Sequence, residues 1–165
     1  MGRATGSWLS GPASGQAVDV EYRGADLGFA QSGPGSLAGG WHRVLALLID
    51  WLIGYGIALL VVRVVGVEIS TVVLGVWFII GAACVTLFGF TPGQCAAGLR
   101  VARVDHGPER TAAEISGQVP LAAVGVVRAL ARQLLIVFIV PALMNDYNAR
   151  ALHDRATGTA LVRTR

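Results

Sequence analysis

The side chains best suited to chemistry lie inside apolar sequence. Asp50 interrupts the run 44–62 (VLALLIDWLIGYGIALLVV), and Arg128 and Arg132 interrupt a second run between Val119 and Met144. An ionised carboxylate near the middle of a bilayer costs on the order of 2.5–3.5 kcal/mol on insertion scales, so it must face protein or water. Arg128 and Arg132 are one helical turn apart and share a face. If both runs enter from one membrane surface, Asp50 lies roughly 10 Å deep and Arg128 roughly 13 Å, at the helical rise. The matching depths predict an intramembrane charge pairing of Asp50 with Arg128 and Arg132. Such a pairing either locks helices in register or makes Asp50 a proton relay or cation site. Register locking is the preferred reading, because a nearby guanidinium holds the carboxylate charged and a poor proton acceptor.

The other reactive residues are scattered. His153 and Asp154 are neighbours, but adjacent residues on a helix do not face each other. Asp154 is therefore read as binding backbone N–H groups or an arginine near the membrane interface. His42, His106 and His153 are far apart, and Cys84 and Cys95 have no metal-ligand spacing, so neither a metal nor a cofactor is expected. There is no Gly-rich phosphate loop and no nucleophile beside a base, which argues against an enzyme.

What must position these residues is a membrane fold. The 165 residues are 54% hydrophobic and 14% charged, against roughly 45–50% and 25% in soluble domains, and the mean hydropathy is +0.62. All of the basic residues are arginine, and the net charge is +3. No basic stripe with interleaved aromatics exists, so a nucleic-acid partner is not expected. The runs 44–62 and 71–90 (TVVLGVWFIIGAACVTLFGF) each have the length of a membrane-crossing helix. Ala46, Asp50, Gly54 and Ala58 form an i+4 stripe of small or polar residues, the protein-facing side of the first helix. Gly75, Ala82, Ala83 and Thr86 supply a comparable set on the second.

Thr91-Pro92-Gly93 reads as a tight turn. Gly98 to Asp105 reads as a short strand and Asp105 to Pro108 as a turn. Thr111 and Glu114 have capping-box spacing, which predicts a short helix after them. Residues 119–144 are long enough for a third span, and TGTALV near the C-terminus is extended. The fold class is thus an all-α integral membrane protein with two to three transmembrane helices and a short extended or turn segment between helices 2 and 3. Residues 1–40, rich in Gly, Ser and Pro and without a signal-peptide-like apolar region, read as a disordered tail. Residues 41–163 read as the membrane domain.

Arginines flank the first helix at Arg43 and follow the second at Arg100, Arg103 and Arg110, whereas the loop between the helices carries Arg63 alone. The positive-inside rule puts the N-terminal tail and the central loop in the cytoplasm, in a multi-pass protein of the plasma membrane. A complete third span would then put Arg150, Arg155, Arg163 and Arg165 outside, against the same rule. The sequence leaves the side of the C-terminus open.

Three segments together carry a resemblance: RVLALLID at 43–50, FGFTPGQCAAGLRV at 88–101, and LHDRATGTALV at 152–162. Over residues 41–163 the chain resembles the RDD family of bacterial membrane proteins, named for one arginine and two aspartates. Arg43, Asp50 and Asp154 fall on those positions, and Thr91, Pro92, Gly93, Gly98 and His153 fall in the accompanying motifs. Gln94 departs from the lysine that many relatives carry. The resemblance implies a transport-related role with no assigned ligand. Two or three helices cannot enclose a path alone, so the expectation is a homo-oligomer or a subunit among other membrane proteins within the lipid bilayer. The competing expectation is a non-catalytic assembly or scaffold subunit that docks other membrane proteins.

Overall fold

The computed structural model describes residues 22–138 and 150–165. Two long helices dominate: α1 (Gly40–Val65) and α2 (Ile69–Phe88), joined by three residues and packed antiparallel. At 1.5 Å per residue they are about 39 Å and about 30 Å long, enough to cross a hydrocarbon core of about 30 Å. Their contact uses the small stripe expected on α1. Ala46, Gly54 and Ala58 are the buried residues of that helix, and Trp51 stacks on Trp77 at 5.2 Å between ring centroids. On α2 the buried set is Val73, Trp77, Gly81, Ala82 and Val85. Of the small residues expected there, only Ala82 is fully buried; Ala83 is exposed.

The rest of both helices points outward. Only 17% and 28% of their most apolar stretches are buried, and Leu60, Val64, Ile79 and Leu87 are each well over half exposed. A core helix of a water-soluble protein hides such residues. Contiguous apolar surface of this extent is suited to lipid.

At the end where α1 begins and α2 finishes sits a cap. Gly89 ends α2 in the left-handed conformation (φ 76°), its N–H bonding Val85 O, and its carbonyl accepts from Val101 N at 2.8 Å. After it come α3 (Pro92–Ala96), β1 (Leu99–Arg103) and α4 (Pro108–Ile115). α5 (Val126–Val137) returns along α2. α6 (Leu152–Ala156) and β2 (Thr159–Arg163) complete the described chain. β2 pairs antiparallel with β1, from Leu99↔Arg163 to Arg103↔Thr159. The sheet corrects the all-α reading in detail: two strands pair within a mostly helical protein. A cluster of Ala38, Ala46, Val85, Leu99, Val101, Val124, Ala129 and Leu161 ties both long helices and α5 to the sheet.

The β1–β2 pairing answers the question that charge counting left open. It holds the C-terminal strand at the same end as the central loop and the start of α1. Arg150, Arg155, Arg163 and Arg165 therefore lie with Arg43, Arg100, Arg103 and Arg110, opposite Arg63.

Four local expectations change. Residues 22–39, expected within a disordered tail, are folded. Gly35 N and Ala38 N donate to Arg163 O and Leu161 O, each at 2.8 Å, and Arg163 N donates to Ser36 O at 2.8 Å, so this segment lines the free edge of β2. Phe29 is buried against Ala102, Ala160 and Val162. A segment without apolar periodicity gains order here by completing another strand's hydrogen bonds, which its own composition does not reveal. Residues 1–21 lie outside the described residues. Thr91-Pro92-Gly93 is a helix start rather than a tight turn: Thr91 and Gln94 form the capping box of α3. Thr111 and Glu114, expected as a capping box, lie inside α4, and Thr111 Oγ1 donates instead to Gly107 O at 2.9 Å. Pro108, with φ pre-set for a first helical turn, starts that helix earlier.

The last change concerns the third span. Helix begins only at Val126, and its 12 described residues reach about 18 Å, short of a crossing. Residues 139–144, the rest of the expected span, lie outside the described residues, as do 145–149.

Arg128 is held outside the long helices. Its Nη2 lies 2.6 Å from Asp105 Oδ2, and Asp105 also accepts from Arg103 Nε at 2.9 Å and Nη2 at 2.8 Å. The hydrogen bonds and charge of Arg103, with help from Arg128, hold the Asp105 carboxyl at about 2. A folded value below the unfolded one means that its stabilisation is complete above about pH 4 and disappears as the pH falls through 2. Asp105→Asn is thus expected to flatten the acid limb of the stability profile between pH 4 and 2. Unfolding of the detergent-solubilised protein, followed by tryptophan fluorescence, reads this.

Candidate functional site: a polar pocket under the cap

Three residues meet at the junction of α1, α5 and α6. Arg43, in the first turn of α1, reaches out with Nη1 2.8 Å from Asp154 Oδ2, and its Nε donates to Ala38 O at 3.1 Å. Arg132, on the buried face of α5, donates from Nη1 to Asp154 Oδ1. Asp154 is completely buried and Arg132 is 2% exposed. Thr159 Oγ1 lies 3.4 Å from both Asp154 Oδ1 and Arg132 Nη1. One buried carboxylate thus bridges two guanidiniums, Arg132 nearly inaccessible and Arg43 mostly covered. Such an arrangement is held by its own completeness, since removing one partner strands a buried charge.

Two turns along α1, Asp50 makes a second latch. Thr91 Oγ1 donates to its Oδ2 at 2.5 Å and Gly93 N donates to its Oδ1 at 2.7 Å. Thr91 Oγ1 in turn accepts from Gln94 N at 3.2 Å, and Gln94 Oε1 accepts from Thr91 N at 3.0 Å. The carboxylate therefore satisfies N–H and O–H donors that open α3, donors a helix start otherwise leaves to solvent. Gly93 is required by distance: a Cβ there would stand 2.1 Å from Ala46 O and 2.8 Å from Asp50 Cγ.

Between the two latches lies a cavity of about 80 Å³, room for a few waters or one small ligand. Its polar lining is Arg43, Asp50, Thr91 and Gln94 on one side and Arg132, Gln133 and His153 on the other. Trp77, Ile80 and Leu161 are among its apolar walls.

The expected charge pairing is corrected. The carboxylate bonded to Arg132 is Asp154 and the one bonded to Arg128 is Asp105, while Asp50 is held by Thr91 and Gly93. Depth along a helix cannot show which element a residue faces, and α5 runs along α2. The arginines share a helix yet reach two different carboxylates, neither of them Asp50. His153, expected to face away from its neighbour, places Nε2 3.6 Å from Asp154 Oδ1, and α6 buries both side chains. Gly98, in the motif after α3, lies against the C-terminal Arg165 and away from the pocket. Gln133 was not legible as a site residue beforehand, although an amide beside Arg132 in an apolar run was the available signal.

Among the described residues, no three of His, Cys, Asp or Glu gather as a metal site. Cys84 and Cys95 are free thiols, one half-buried and the other exposed.

These latches join the start of α1, the loop after α2 and the segment before β2, the regions that carry RVLALLID, TPGQ and LHDRATGT. The sequence model of the RDD family matches residues 37–158, which takes in the first two and the third through Gly158. The chain belongs to the RDD family. It is accordingly a membrane protein, with two helices apolar and long enough to cross. No curated protein and no solved structure matches it. Within this RDD chain the naming residues acquire separate tasks: Arg43 and the second aspartate, Asp154, fasten the C-terminal segment to α1, while Asp50 fastens the TPG segment to the same helix.

Proposed function

We propose that this protein is transport-related, non-enzymatic, and works as an oligomer or within a larger membrane complex, with the pocket between Asp50 and Arg132 as its ligand site. The observation that carries the reading is the pocket itself. Charged and amide side chains line a cavity beside helices whose other faces are apolar, and intramembrane or interfacial ionisable groups commonly mark solute paths. Two spanning helices do not enclose a path, which is why association enters the proposal. A groove of about 410 Å³ along α2 and α5, walled by Ala82, Ala83, Thr86, Val126 and Leu130, offers small residues for close approach of another helix. The clustering of arginines at the cap supports a cytoplasmic place for that end, in the reading of a plasma-membrane protein.

Purified protein in proteoliposomes tests this. Proton- or cation-dependent flux is expected, and Asp50→Asn is expected to abolish it at unchanged incorporation. The same groove supports a second reading, an assembly subunit that docks other membrane proteins. Absence of flux together with a stoichiometric co-purifying membrane partner would favour that reading and refute transport.

A further inference from the structure

We infer that the groove along α2 and α5 holds an acyl chain of one anionic phospholipid, whose phosphate meets the arginines at the cap edge, Arg100, Arg103 and Arg128. This goes beyond the proposed function and stands apart from the pocket. A retained lipid fits a transporter and an assembly subunit alike, and association along this face then runs through the lipid.

The groove suits a flexible apolar chain. α5 starts at the cap and runs back along α2: the Gln133 amide, seven residues in from Val126, lies 2.4 to 2.6 Å from where a Cβ on Gly81 would stand, seven residues back from Phe88. Leu87 and Val126 wall the groove at its cap end, and Phe78 and Leu130 wall it farther in. From Phe78 to Leu87 it follows α2 for roughly 13 Å at the helical rise, with a volume of about 410 Å³. Thr86 is the polar residue on its wall, and its Oγ1 already donates to Ala82 O at 2.7 Å.

The charge at the cap end favours a lipid over another helix. Arg103 donates from Nη1 to Ala123 O at 3.4 Å, three residues before Val126, and Arg128 follows Val126 by two residues. Both bond the one carboxylate of Asp105. Arg100 places Nη2 3.5 Å from a Cβ position on Gly89, two residues past Leu87. Among the described residues it makes no ion pair; burial lowers the pKa of its guanidinium, and the charge of Glu114 acts the other way. Glu114 itself accepts from Arg110 Nε at 3.1 Å and Ala122 N at 3.2 Å. Four guanidiniums, of Arg100, Arg103, Arg110 and Arg128, thus face three carboxylates, Asp105, Glu114 and the exposed Glu109. One positive charge is left over at the edge where the groove opens. A phospholipid of net negative charge supplies the missing charge and an apolar chain together, and basic pockets beside spanning helices recognise such headgroups.

Native mass spectrometry tests this on the full chain, purified in detergent with equal amounts of phosphatidylglycerol and phosphatidylcholine carrying the same acyl chains. One phosphatidylglycerol per chain is expected to be retained, at least fivefold over phosphatidylcholine. Arg100→Gln and Arg128→Gln are each expected to lower that preference about threefold or more, whereas Arg63→Gln, at the other end of α1, leaves it unchanged. Ala83→Leu fills the groove from an exposed position and is expected to lower retention of either lipid about fivefold with every arginine in place. Melting temperatures equal to wild type in lipid-free detergent show that these losses are local. Equal retention of the two lipids by the wild type would overturn the inference, as would a wild-type preference in both arginine variants. A lipid-free dimer that Ala83→Leu dissociates would also overturn it, since the groove then holds a helix of a second copy. The flux assay is separate: retained lipid without flux leaves this inference standing and removes transport, while Asp50-dependent flux without retained lipid does the reverse.

Discussion

Asp154→Asn is expected to destabilise the protein by about 3–5 kcal/mol, the usual effect of removing one partner from a buried ionic group. The asparagine fits the same space, so packing changes little. What changes is that the carboxylate between Arg43 and Arg132 is gone and Arg132, 2% exposed, loses its counter-charge. Against a typical total of about 5–15 kcal/mol, such a loss should lower yield in membranes and lower the melting temperature in detergent. Arg128→Gln is the control, because its partner Asp105 is partly exposed and partly solvated pairs contribute about 0–1 kcal/mol. If the two variants melted together, Asp154 would not be the buried bridge described here.

Gly93→Ala is expected to be nearly as damaging, through sterics. The added methyl meets Ala46 O at 2.1 Å, and a backbone atom cannot rotate away. α3 must then leave α1, which breaks the Gly93 N and Thr91 Oγ1 bonds to Asp50 together. Overpacking costs about 1–3 kcal/mol, and each hydrogen bond to a charged group contributes about 1.5–3 kcal/mol, so a loss of about 3 kcal/mol or more should follow. Gly56→Ala provides the opposite sign. A Cβ at Gly56 meets nothing within 4 Å, and alanine in a helix interior is favoured over glycine by about 0.8–1.0 kcal/mol. Thermal unfolding monitored by tryptophan fluorescence should therefore move down for one glycine and up for the other.

The two long helices were legible because a bilayer demands about 20 apolar residues in a row, and only α1 and α2 supply that over described residues. The inner face of α1 was legible for a related reason: Ala46, Gly54 and Ala58 recur every four or eight residues, and small residues mark where backbones approach. Strand β1 showed in its alternation, and β2 in a short extended run. Partnership was not legible. Asp50, Arg128 and Arg132 were correctly marked as needing partners, yet Thr91, Gly93, Asp105 and Asp154 are supplied by elements far away in sequence, and depth along a helix does not encode azimuth. Residues 22–39 escaped for the same reason, since their order comes from the edge of β2. Arg43, Asp50 and Asp154 were found by resemblance to a family; only the geometry shows that they form two latches instead of one site.

The central claim is that α1 and α2 form the spanning hairpin while everything else fastened to Arg43 and Asp50 lies at one end. Cysteine accessibility in intact cells and inverted vesicles tests it most directly. In a Cys84→Ala, Cys95→Ser background, single cysteines would be placed at Glu68 between the helices, at Glu109 in α4, and at Thr164 after β2. A membrane-impermeant maleimide should reach positions 109 and 164 from the same side, and position 68 from the opposite side. Labelling of position 164 from the side that labels position 68 would contradict the β1–β2 pairing, and with it the pocket.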